Sequence, residues 1–128
     1  MAVSITNFTK RNSPFSELFL STIAKEILGA AYETSITFVG DRRAQQLNVQ
    51  YRQKRYVPNV LSFPLDATSG EVVLNLRKVE HETKKFDMPY KKLCLYLLIH
   101  GMLHLKGLDH GPKMDSLEQR LLQKFYRA

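Results

Sequence analysis

Apolar and polar residues alternate over residues 2–8, with β-branched Val3, Ile5 and Thr6 among them, which predicts a first strand. Ser13 before Pro14 reads as an N-cap followed by proline at the first helical position. Leu18, Phe19, Thr22, Ile23, Glu26 and Ile27 then form one helical stripe, which Gly29 ends. Alternation returns over 33–39, a second strand. Asp41 is placed to cap a helix through about Tyr51, with Ala44, Leu47, Val49 and Tyr51 partly inward. Residues 59–63 predict a short strand ended by Pro64, and 71–76 a fourth. The turn at 66–70 is short enough to join them as a hairpin. Residues 77–87 are highly charged and read as a short exposed helix or loop.

After Asp87 or Met88 as cap, with Pro89 in the first turn, the pattern changes. Leu93, Leu95, Leu97, Leu98 and Ile99 make the next helix apolar nearly all round, so it is buried, against the sheet. Gly111-Pro112 opens a last helix with Leu117, Leu121, Leu122 and Phe125 inward; Met114 and Glu118 are assigned to packing and surface. This order predicts an α+β fold: a single small mixed sheet of about four strands packed with helices. No repeat or linker divides residues 1–128, so one domain is expected.

The chemistry lies at the end of the buried helix. His100 and His104 are four apart and share a helix face. Gly107 is placed to stop the helix as the residue past its C-cap, and the turn can return His110 to the same point. Three imidazoles at this spacing make an open metal site at the C-terminal end of the helix. Zinc, one ion per chain, is the first candidate, because catalytic zinc takes three protein ligands and keeps a fourth position open. The fourth histidine, His81, lacks ligand spacing and reads as a surface residue.

Composition changes the picture in two ways. Lys and Arg outnumber Asp and Glu 19 to 12, which favours polyanionic partners. The excess is concentrated. Arg42, Arg43, Arg52, Lys54 and Arg55 fall in a stretch without an acid, readable as a solvated face or as a phosphate-binding patch. The single cysteine, Cys94, sits in the apolar helix and reads as a buried inert thiol. Residues 1–6 do not read as a signal peptide, and no apolar run approaches the ~20 residues that span a bilayer. A cytoplasmic protein without a membrane partner is expected.

The spacing HxxxHxxGxxH resembles the zinc-binding core of metzincin proteases. Those enzymes carry a glutamate base directly after the first histidine, where this chain has Gly101, so peptide hydrolysis is a minor alternative. A phosphodiester suits the basic charge better. Metal-bound water, or zinc as Lewis acid only, would promote its cleavage, with an arginine fork on the phosphate.

The pattern HGxLHLxGxDH at 100–110, joined to Asn48-x-x-Tyr51-Arg52 and Asn59-Val60-Leu61-Ser62-Phe63-Pro64, resembles the YbeY family over nearly the whole chain. These are bacterial single-strand-specific endoribonucleases linked to rRNA maturation, with a part in processing the 3′ end of 16S rRNA and in ribosome quality control. The resemblance implies zinc on His100, His104 and His110, and a functional arginine at Arg52. It implies single-stranded RNA and rRNA as substrates, and the ribosomal subunit or its proteins as partners. Arg42, Arg43, Lys54 and Arg55 are candidate backbone contacts. Asp109 and Ser62 are candidates for supporting the ligands from behind, although Asp109 could equally cap the turn or last helix. A ribosome assembly factor with a mainly structural metal is the alternative of another class. Three departures from the family pattern, Pro58 in place of threonine, Glu71 after Gly70 and a short 77–88 segment, concern loop shape.

Overall fold

The computed structural model describes residues 3–127; Ala2, at the start of the first predicted strand, lies outside them. The elements are β1 (Val3–Asn7), α1 (Glu17–Leu28), β2 (Glu33–Val39), α2 (Asp41–Arg52), β3 (Val60–Asp66), β4 (Ser69–Asn75), α3 (Leu76–His81), α4 (Thr83–Phe86), α5 (Tyr90–Leu105) and α6 (Pro112–Phe125). The four strands form one mixed sheet in the order β1-β2-β4-β3. β1 and β4 run parallel to β2, and β3 runs antiparallel to β4 as the expected hairpin.

Strand periodicity divides the sheet into two faces. Val3, Ile36, Phe38, Val72 and Leu74 point into the main core with α1, α5 and α6. Val39, Leu61 and Val73 point the other way and pack on Ala44 of α2. α5 lies across β3 and β4, flanked by α1, α3, α4 and α6. Its buried residues run around the helix from Leu93 to Leu103, so the all-round apolar sequence has its reason in all-round packing. Burial pushes the Cys94 thiol up to about 12, which leaves it protonated and inert. None of the described helices is long and apolar enough to cross a membrane.

Several boundaries differ from the sequence reading. The α1 cap is Ser16, whose hydroxyl accepts from Phe19 N at 3.1 Å. Ser13 is spent on the preceding turn, where it donates to Phe15 O. The later start moves the inward stripe to Leu20, Ile23, Ala24 and Ile27, leaving Leu18 exposed. Gly40, not Asp41, caps α2, because the Asp41 carboxylate is held by Asn75 Nδ2 at 2.9 Å and Arg77 Nη1 at 3.0 Å. On α2, Ala44 and Asn48 are buried, whereas Val49 and Tyr51 are exposed.

Pro64 lies inside β3 rather than ending it. β3 is an edge strand, where a missing N–H costs no ladder bond, and the register shifts between Pro64 and Asp66. β4 begins at Ser69 and stops at Asn75, whose side chain accepts from Lys78 N to cap α3. The charged 77–87 stretch folds into the end of α3 and α4. Asp87 is left-handed (φ 52) and closes α4, so Pro89 takes the cap position of α5.

Candidate metal centre

α5 ends where Lys106 caps it and Gly107 turns left-handed, at φ +103. Leu108 N bonds back to Leu103 O, and Gly107 N to His104 O, the paired bonds of a Schellman stop. That stop reverses the chain and returns His110 to the helix end. The three imidazoles lie 4.6 to 5.1 Å apart between ring centroids. One nitrogen from each lies within 4.8 Å of the other two.

The hydrogen bonds behind the rings fix which nitrogens face the shared gap. His104 Nδ1 meets the Leu108 carbonyl at 3.1 Å. A carbonyl only accepts, so Nδ1 carries the proton and Nε2 the lone pair. His100 Nδ1 meets the Glu118 carboxylate at 2.5 Å and is held in the same tautomer. The two Nε2 atoms then face each other at 3.2 Å, close enough to serve one cation together. Two imidazole nitrogens at zinc distance, on a tetrahedral ion, sit about 3.3 Å apart. A carboxylate and a carbonyl behind the rings is the usual support of metal-binding histidines. The donor set therefore fits zinc. Burial holds the His104 imidazole below its ordinary pKa, helped by His100 beside it, which keeps the ring neutral for ligation.

Gly101 faces the sheet. A Cβ there would stand 2.8 Å from Val72 Cγ1 and 3.0 Å from Ser62 Oγ. The position that carries glutamate in metzincins has no room for any side chain here. Ser62 donates to the Gly101 carbonyl at 2.9 Å, tying β3 to α5 one residue past His100.

The three histidines open into a cleft of about 430 Å³, lined also by Arg52, Tyr56 and residues 59–62 of the β3 edge. Arg52, at the end of α2, is held there by its Nη1, which donates to Asn48 Oδ1 at 3.1 Å and to Tyr56 Oη at 2.8 Å. Asn48 is fully buried and donates to the Tyr56 carbonyl, so one side chain fixes both the guanidinium and the loop after it.

A family model described as Endoribonuclease YbeY matches residues 4–126. The chain belongs to the YbeY family. It is 30% identical to Endoribonuclease YbeY of Thermodesulfovibrio yellowstonii, over 95% of this chain and 96% of that one. It is 34% identical to that of Aromatoleum aromaticum, over 88% and 78%. The solution structure of TM1509 from Thermotoga maritima matches with TM-score 0.72 at 26% identity, covering 96% of this chain and 88% of that one. Membership of the YbeY family makes the chain an RNA-cleaving hydrolase.

Within this YbeY chain, the fold brings together His100, His104, His110, Arg52 and Ser62 from the sequence-predicted set. Lys54 and Arg55 are exposed in the loop between Arg52 and Tyr56, two residues that line the cleft, but are not among its lining residues themselves. Arg42 and Arg43 sit at the other end of α2, about 15 Å away along the axis. They line a separate depression with Phe8, Asp41 and Arg77, and the Arg43 guanidinium stacks 3.9 Å over Phe8. Asp109 is exposed and makes no hydrogen bond to the imidazoles among the described residues. The carboxylate behind His100 is Glu118, assigned above to packing and surface and here buried at 2% exposure. Its signal was legible: an acid at the position where the stripe of Met114, Leu121 and Leu122 requires an apolar residue. His81 is exposed and bonds only its own helix, at Arg77 O. The Pro58 departure keeps its carbonyl in use, accepting from Asn75 Nδ2.

Proposed function

We propose that this chain is a zinc-dependent, single-strand-specific endoribonuclease of rRNA maturation, acting at the 3′ end of 16S rRNA and in ribosome quality control. The observation that carries the reading is the convergence of three imidazoles and one fixed arginine on a single cleft. His100, His104 and His110 hold the ion, with Glu118 and the Leu108 carbonyl keeping His100 and His104 in the ligating tautomer. Zinc, when bound, supplies a Lewis acid and a means of activating water. Arg52 contributes the phosphate contact. Its Nη2 and Nε make no hydrogen bond among the described residues, so two donors of the planar fork stay free for a phosphate. Lys54 and Arg55 extend positive charge along the strand's path.

His104→Ala tests the reading. It removes one ligand and, with it, zinc retention and RNA cleavage; a folded variant that cleaves RNA undiminished would overturn the catalytic role of the metal. Product ends then identify the attacking oxygen, since a 2′,3′-cyclic phosphate means attack by the 2′-hydroxyl rather than by water. A peptide-bond reaction has no support at Gly101, where a carboxylate would collide with Val72.

A further inference from the structure

Tyr56 is an exposed aromatic ring at the wall of the histidine cleft, 54% accessible. An exposed ring on a loop is ordinarily free to move. This one is held at both ends. Its backbone carbonyl accepts from the buried Asn48 at 3.0 Å, and its hydroxyl accepts from Arg52 at 2.8 Å. The preceding residues are pinned as well. Lys54 N bonds to Asn48 O, and Gln45 Nε2 donates to Arg55 O at 2.7 Å. The fold thus spends a buried asparagine on keeping an open aromatic surface in place. Between Arg42 and Tyr56 there is no acid to repel a polyanion.

We propose that Tyr56 is a stacking platform for one unpaired nucleobase of the RNA in the cleft, an inference that rests on the functional reading above. Base–aromatic stacking is indifferent to sequence, because every base has a π-face. A ring already fixed loses little entropy when the base arrives. The hydroxyl that Arg52 holds makes the two recognitions one unit: the base lies on the ring while the guanidinium on the ring's tip takes a phosphate. A base inside a duplex is stacked and paired, so it must be freed before it can use the ring. Tyr56 would thereby contribute to the choice of single strands.

The test uses zinc-loaded protein and a short single-stranded RNA carrying one 2-aminopurine, moved through successive positions and read on mixing, before cleavage. Stacking on Tyr56 quenches the probe at one position in the wild type. Tyr56→Phe keeps the quench but leaves Arg52 held by Asn48 alone, so its loss falls on kcat rather than on binding. Tyr56→Leu loses the quench and binds about tenfold more weakly. Replacing that nucleotide by an abasic residue abolishes the difference between wild type and Tyr56→Leu. Equal quenching and affinity in Tyr56→Leu, or a loss that persists undiminished on abasic RNA, overturns the stack alone. Wild-type protein that binds no single-stranded RNA overturns the functional reading together with it.

Discussion

The Glu118 carboxylate supports His100 from α6, and the Leu108 carbonyl supports His104 from the turn after α5. The two supports differ in what substitution can reach. Glu118→Gln keeps an acceptor oxygen beside Nδ1 but removes the charge that raises the basicity of the ligand. Losses of supporting groups of this kind weaken metal binding about 10- to 100-fold. Competition against a chelator of known zinc affinity should return a drop in that range, while unchanged affinity would mean that Glu118 only fills space. The clustering of the three histidines was legible in the sequence, because their spacing is local, and the family motif pointed to Arg52, which lines the same cleft. Glu118 was harder, because its partner lies 18 residues away and only the docking of α6 on α5 brings them together. Asp109 drew attention by adjacency to His110, but neighbours in sequence on an extended turn need not face the same point.

At the scale of elements, the decisive contact is α5 against the hairpin of β3 and β4. Gly101 in mid-helix costs about 1 kcal/mol of helix propensity relative to alanine. Gly101→Ala should therefore stabilise a helix with free space beside it. Here the new methyl would meet Val72 and Ser62 at 3.0 Å or less, and overpacking of this kind costs typically 1–3 kcal/mol. The valine methyl sits too near its own backbone to swing away. The expected sign is destabilisation, read as a lowered denaturant midpoint; a raised midpoint would show that the helix yields freely. Element types were legible from periodicity, and Glu33–Val39 was placed to the residue. Ends were less so. Ser13 and Ser16, or Gly40 and Asp41, are all plausible caps, and the choice fell to other partners: Ser13 to Phe15 O, Asp41 to Asn75 and Arg77.

For the whole molecule, the fold sorts a uniform-looking run of basic residues into two ends of α2. Neutralising Lys54 and Arg55, in the loop between Arg52 and Tyr56, should flatten the salt dependence of RNA affinity by about 1.4 in log–log slope, at ~0.7 per phosphate contact on a single strand. Neutralising Arg42 and Arg43 should change it far less, since Arg43 stacks on Phe8 and both line the separate depression. Equal changes from both pairs would place the RNA path along the full helix. No local pattern announces this division, nor the strand order β1-β2-β4-β3, since both depend on how distant segments meet.

The dependence of His100 on a carboxylate in α6 also has a meaning in time. Chains emerge from the ribosome N-terminal end first and fold as they go. The sheet, α2 and Arg52 precede α5, and α5 precedes the helix that carries Glu118. The arginine side of the cleft is therefore made before Glu118 is there to support His100. A nascent chain that has not yet made α6 lacks that carboxylate, and would hold an ion on its histidines more weakly than the finished fold.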